Sequence, residues 1–238
     1  MLKFFSPFLY VLGSIVHFFK IPSPQGGFII RFPSFMTKSE LGATLFGGYE
    51  KHERKLIKKY LEKNDFVLEL GACIGVVALT INRILTDKTK QVSVEPNPQM
   101  LPFLTKNLER NGGKFFVETC IVSKLPEVTF FIGGTAFLGS STLGGGQKTV
   151  IKGKTLNDLI DEYFDFTALI MDIEGGELDF FRSFDLKNSK IRLIVWETHC
   201  KPHMLSEIEL HECYDLLTDQ GYKFREKSGD VEAWSRII

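Results

Sequence analysis

Phe66-Val67-Leu68-Glu69-Leu70-Gly71-Ala72-Cys73-Ile74-Gly75 is an apolar run that closes on an acid and a glycine, after which a second glycine opens an amphipathic segment. That is the pattern of a strand, a tight turn and a helix N-terminus. Farther along, Val92-Ser93-Val94-Glu95-Pro96-Asn97 repeats the order of strand, then acid. In a nucleotide-binding α/β unit, an acid at the end of the second strand accepts hydrogen bonds from ribose hydroxyls. The two stretches together predict a cofactor that contains adenosine. The turn lacks the third glycine of a dinucleotide fingerprint, because Cys73 stands there. Pyrophosphate needs a close backbone, so NAD and FAD are disfavoured. No Gly-Lys-Ser/Thr follows, which excludes a P-loop. A turn with fewer glycines suits a bulkier, uncharged stretch of ligand, such as the methionine arm of S-adenosylmethionine.

Outward from this unit the chain alternates. The pattern predicts strands over 66–70, 91–94, 114–118, 127–132, 168–172 and 191–196. Helices are expected over 51–61, 76–85, 98–110, 155–164, 176–184 and 206–220. The tail reads as two strands, 222–226 and 231–237, joined by a turn at Ser228-Gly229-Asp230. Alternating β and α predicts a mostly parallel sheet with helices on both faces and an antiparallel last strand. Gly133 to Gly146 reads as a loop.

The 238 residues fit one α/β domain with a short extension. Three units are expected: an apolar helix over 1–20, an irregular cap or lid over 21–50 with one strand-like piece at 28–32, and the cofactor-binding domain over 51–238. Net charge is zero, which disfavours nucleic acid as a partner. The Lys51 to Lys59 stretch alternates with acids and reads as a solvated helix face. The four cysteines show no C-x-x-C pair, so reduced thiols in a cytoplasmic compartment are expected. Cys73 reads as a small residue in a cramped turn rather than a reactive thiol. Between Lys3 and Lys20 there is no charge. That run is short for a spanning helix and is interrupted by Pro7, Gly13 and His17. It is read as a helix packed on the domain or a partner, as one lying on a membrane surface, or as an anchor.

Three segments carry a family resemblance: Glu69 to Gly75, Val94-Glu95-Pro96-Asn97-Pro98, and Met171-Asp172-Ile173-Glu174-Gly175-Gly176-Glu177. In order and spacing they resemble the signature segments of the FkbM-type methyltransferases. Gly48-Tyr49-Glu50, Thr155-Leu156-Asn157-Asp158 and Trp196-Glu197-Thr198-His199 also match the family pattern. The resemblance spans roughly residues 45 to 200. It implies the class I, Rossmann-like methyltransferase fold with a seven-stranded sheet, and S-adenosylmethionine as cofactor. It also implies methyl transfer to a hydroxyl of a sugar, glycan or related small natural product. The implied cofactor residues are Glu50, Glu69, Gly71, Ala72, Cys73, Gly75, Glu95, Pro96 and Asn97. Glu69 stands where the family usually has Asp, and Cys73 where it usually has Asn.

Asp172 and Glu174 end one strand and Glu197 and His199 the next, at the edge where open α/β sheets bind ligands. Transfer to a hydroxyl needs a base and close placement of the acceptor. His199, Asp172 and Glu197 are the candidate bases, His199 the best on intrinsic pKa; Asp172 and Glu197 would then orient the acceptor or a metal, or a carboxylate/His group holds a divalent metal, while Glu174 turns into the mouth. Glu177 reads as an acid favouring a helix N-terminus. His17, His52, His203 and His211 have no motif around them, and Trp196 reads as core. An N-methyltransferase is the alternative within enzymes, disfavoured because no Asn/Asp-Pro-Pro-Tyr/Phe segment is present. A non-catalytic, membrane-associated binding protein of the same fold is the alternative from another class.

Overall fold

The computed structural model describes residues 2–33, 35–133, 146–200 and 204–237, with side chains from residue 7 onward. Most of the loop expected over Gly133–Gly146, and His203, lie outside the described residues. In chain order the first elements are α1 (Leu2–Phe19), β1 (Ser23–Gln25), β2 (Phe28–Ile30), α2 (Lys38–Thr44) and α3 (Lys51–Tyr60). The nucleotide-binding half follows as β3 (Val67–Leu70), α4 (Val76–Ile84), β4 (Gln91–Val94), α5 (Leu101–Asn111) and β5 (Phe116–Glu118). Next come β6 (Ile121–Val122), β7 (Glu127–Ile132), β8 (Gln147–Lys154), α6 (Leu156–Glu162) and β9 (Ala168–Met171). The chain closes with α7 (Glu177–Ser183), β10 (Leu193–Glu197), α8 (Glu207–Asp219), β11 (Lys223–Ser228) and β12 (Val231–Ser235).

Seven strands form the main sheet in the order β11-β12-β10-β9-β3-β4-β5. Neighbours are parallel except β12, which runs antiparallel to both β10 and β11. The inner strands are buried at nearly every position, as a sheet covered on both faces requires. Alternate residues supply the two faces. Leu68, Leu70, Leu169, Ile194 and Trp196 pack with Leu178 and Phe181 of α7 and Leu210 and Leu217 of α8. Val67, Ala168, Ile170, Leu193 and Val195 pack with Leu56 and Ile57 of α3 and Val77 and Ile81 of α4. From β3 the chain builds outward through β4 and β5, then returns to build the other side through β9 and β10. That reversal is the topological switch point, and the crevice beyond the strand ends there is where such sheets bind ligands.

Two expectations need correction. The segment over 21–50 is not irregular: it holds the β1–β2 hairpin and the capped helix α2. Gly26 and Gly27 make the turn with φ of 57° and 88°, the combination a two-residue hairpin loop needs. Thr37 and Glu40 form a reciprocal capping box at the start of α2. The hairpin is fastened to the domain. The Arg83 guanidinium donates to the carbonyls of Gly26 and Gly27 and lies 3.6 Å over the Phe28 ring, while Asn107 and Asn111 bond the backbone of Arg31 and Ile29. Phe28, Ile30, Phe32 and Leu41 share a core cluster with Ile74, Val76, Leu79 and Met100. Second, the helix expected from residue 98 begins at Leu101. Pro98 stays in the turn that stops β4, and Pro102 takes the early helical position.

The strand expected over 127–132 forms as β7, outside the main sheet. It pairs antiparallel with β8, and β8 pairs parallel with β6, making a three-stranded sheet beside the crevice. Helix α1 packs on α2 with its backbone close. A Cβ on Gly13 would stand 1.5 Å from the Lys38 carbonyl oxygen, and one on Gly42 would stand 2.0 Å from that of Leu9. Val16 joins the same cluster as Phe28. Among the described residues no helix is long and apolar enough to cross a membrane.

Candidate active site

The turn after β3 is shaped by its backbone. Gly71 (φ 90°) and Ala72 both donate to the Val94 carbonyl, at 2.9 and 3.0 Å. A Cβ at Gly71 would stand 1.8 Å from the Asp172 carbonyl oxygen. The chain leaving β3 therefore passes against the chain leaving β9, and a side chain is excluded by protein backbone rather than by the cofactor alone. Cys73 sits in the left-handed region (φ 48°), and its N–H donates to Glu95 Oε2 at 2.6 Å. The other carboxylate oxygen, Oε1, accepts from the Asn97 N–H at 2.7 Å. Glu95 is 5% exposed; burial pushes its carboxyl up to about 7, against the pull of the Asn97 and Cys73 amides. Glu50 precedes α3 and accepts from the Val77 N–H at the start of α4, at 3.2 Å.

These groups line a cavity of about 260 Å³ at the switch point. One wall is apolar, made by Val94, Met100, Ile121, Val122, Val128 and Phe130. Glu95, Glu50, Asp172 and Glu174 supply acidic lining. An apolar slot next to a buried acid suits an adenosine, and the further acids suit a sulfonium and an ammonium. Of the residues expected to hold the cofactor, Glu50, Gly71, Cys73, Glu95, Pro96 and Asn97 line the cavity. Glu69, Ala72 and Gly75 do not. Glu69 shares strand parity with Val67, so it points to the α3–α4 face. There it accepts a short hydrogen bond from Ser93, and burial pushes its carboxyl up to about 8. Gly75 (φ 90°) opens α4, and a Cβ there would meet Leu104 at 2.7 Å. The apolar wall was not legible as a site, since its residues follow the pattern of ordinary core. Its β7 part reaches the cavity only through the small sheet.

The acids and the histidine after β9 and β10 converge. His199 is 1% exposed, and its Nδ1 is hydrogen-bonded to Glu177 Oε1 at 2.8 Å. Its Nε2 stands 3.4 Å from Asp172 Oδ1, 3.5 Å from Glu174 Oε2 and 3.6 Å from Glu197 Oε1. Asp172 and Glu174 line the cavity, whereas Glu197 and His199 do not. The expectation that all four face one cavity is corrected: two of them line it. Burial opposes the charged imidazole, yet the Glu177 hydrogen bond and the Asp172 charge outweigh it and raise the ring to about 9. An imidazole that does not line the cavity stands away from an acceptor bound there. Burial also pushes the Asp172 carboxyl well above its ordinary range, against the pull of His199. Glu177, read as a helix-start acid, is fully buried and holds the histidine and the Gly175 N–H.

Residues 69–224 match the methyltransferase FkbM domain. The chain belongs to that family. No curated protein matches it in sequence. Among solved structures it is similar to precorrin-6y C5,15-methyltransferase from Geobacter metallireducens, at 13% identity over 77% of this chain and 86% of that one, TM-score 0.48. It is similar also to an O-methyltransferase from Bacillus cereus in complex with SAH, at 12% identity over 77% and 79%, TM-score 0.47. Against a fibrillarin/Nop5p complex the figures are 11% identity over 79% and 81%, with TM-score 0.50. At that identity the likeness to the fibrillarin/Nop5p complex is one of fold. This FkbM-family chain is an S-adenosylmethionine-dependent methyltransferase with the class I sheet order.

Proposed function

We propose that this FkbM-family enzyme methylates an oxygen, a hydroxyl of a sugar, glycan or related small natural product. The observation that carries the reading is the pair Asp172 and Glu174, two carboxylates lining the same cavity as the ribose-binding acid Glu95. Vicinal hydroxyls donate to carboxylates, and a hydroxyl acceptor must lose its proton as the new bond forms. Bound S-adenosylmethionine supplies the methyl on a sulfonium, whose sulfur keeps the electron pair of the broken S–C bond as the O–C bond forms. Glu95 holds the ribose, Gly71 and Cys73 supply backbone beside the methionine arm, and Asp172 orients the acceptor. The hydroxyl proton leaves to Glu174. Measuring S-adenosylhomocysteine release against panels of sugars, hydroxylated natural products and amines tests this, with the position of the methyl read by mass spectrometry. Turnover confined to amines selects the N-methyltransferase instead.

The same reading sets the enzyme against a membrane surface in the cytoplasm, with no nucleic-acid partner. It is supported by the outward face of α1, where Phe8, Val11, Ile15, Phe18 and Phe19 are exposed at helical spacing.

A further inference from the structure

We infer that His199, Asp172 and Glu197 form a divalent-metal site at the floor of the cofactor cavity, and that Glu177 positions the imidazole for it. The three residues each offer one ligand atom, all within 4.8 Å of one another. His199 Nε2 stands 3.4 Å from Asp172 Oδ1 and 3.6 Å from Glu197 Oε1, and among the described residues it makes no hydrogen bond. Two ligand atoms that are each about 2.1 Å from a common ion stand roughly 3.0–3.5 Å apart. The 3.4 Å separation falls in that span and the 3.6 Å one lies just beyond it, so a slight closure of the side chains would bring them to the spacing of neighbours around an ion. Asp172 Oδ1 agrees: the side chain is 32% exposed, but this oxygen atom is itself buried and has no hydrogen-bond partner, only the imidazole at 3.4 Å. A buried carboxylate oxygen left unpaired is costly, and an ion at this point satisfies it.

The far side of the ring agrees. The His199 side chain is 2% exposed and that of Glu177 is fully buried, with 2.8 Å between Nδ1 and Oε1. A carboxylate on one ring nitrogen fixes the tautomer that presents the other nitrogen's lone pair to a metal. Glu177 does not line the cavity, so this positioning accounts for a buried acid that the cofactor does not touch. One imidazole with two carboxylates suits Zn²⁺ through the nitrogen and Mn²⁺ through the oxygens. Asp172 lines the cavity as well, which turns the ion toward the acceptor. There it would take the acceptor hydroxyl as a further ligand and lower its pKa, with the proton leaving to Glu174. That role rests on the hydroxyl-acceptor reading; the binding of the ion does not.

The test uses the full chain, stripped with chelator, in two parallel titrations. One follows bound Mn²⁺ by electron paramagnetic resonance, with Zn²⁺ as competitor; the other follows S-adenosylmethionine by calorimetry. One Mn²⁺ per chain is expected, displaced by Zn²⁺. Glu197→Gln should abolish it while the thermal unfolding transition persists. Glu177→Gln should keep the stoichiometry and weaken the affinity by about 10–100-fold, the usual loss when a ligand's outer partner is removed. His199→Gln should also abolish binding; should that variant not fold, the other two still decide. If the folded, stripped protein binds neither ion, or if Glu197→Gln and Glu177→Gln bind as the parent does, the site is refuted. S-adenosylmethionine binding that survives either result leaves the methyltransferase reading standing.

Discussion

A methyl group placed on Gly71 would lie 1.8 Å from a carbonyl oxygen, in a backbone with φ of 90°. Left-handed strain and overpacking against backbone act together there. Gly71→Ala should lower stability by about 3 kcal/mol in urea denaturation and displace Asp172, so that turnover falls as well. Burial sets Glu95 apart from an ordinary carboxylate. Its free carboxyl is pushed up to about 7, and ribose hydroxyls donate to the ionised form. Below pH 7 the cofactor must therefore expel a proton in order to bind. Affinity for S-adenosylmethionine should be flat above about pH 7 and fall by up to tenfold per unit below it. Calorimetry across that range checks the slope, and Glu95→Gln should bind at least tenfold more weakly with the slope gone. At this scale Glu95 and Gly71 were legible, because each punctuates a strand end. Glu177 was not: an acid in a first helical turn reads as a dipole partner until the histidine from the next strand is seen beside it.

Among elements, α2 joins the N-terminal helix to the domain. Its first turn depends on Thr37, whose hydroxyl accepts from the Glu40 N–H while the Glu40 carboxylate accepts from the Thr37 N–H. Thr37→Ala should cost about 1 kcal/mol of stability in urea denaturation and leave cofactor affinity unchanged, since neither residue lines the cavity. The parallel strands were legible as apolar runs, because burial on both faces leaves no polar position to confuse the pattern. Over 21–50, the Gly26-Gly27 pair and the Thr37–Glu40 box were local signals for the hairpin and helix found there. Strand β8 is a different case. Lysines at 148, 152 and 154 leave it without an apolar run, and it is a strand because β7 and β6 pair with it.

Over the whole molecule, α1 presents two faces of opposite character. Gly13 and Val16 face α2 and the core, while Phe18 and Phe19 are 78% and 67% exposed. Sedimentation with neutral and anionic lipid vesicles should bring the protein down. The double change Phe18→Ser with Phe19→Ser should weaken that binding tenfold or more without altering cofactor affinity. Equal sedimentation of parent and variant would assign the exposed face to a role away from lipid. Deleting 1–20 is a harsher change than the sequence suggests, because it uncovers the α2 surface on which Gly13 sits.

The sequence by itself determined the alternation of strands and helices, the sheet covered on both faces, the turn after Leu70 and the acid, Glu95, that follows the second strand of the unit. Each is written in consecutive residues, through a period of two or 3.6 or through one special backbone angle. Only the tertiary structure decided that Glu69 turns away from the cavity, that β7 leaves the main sheet to wall the crevice, and that His199 lies beneath Asp172 in the grip of Glu177. Those relations join residues 15 or more positions apart, and Glu177 and His199 are 22 apart; strand order and packing bring them together, and no local pattern encodes which of several buried acids a given imidazole will meet.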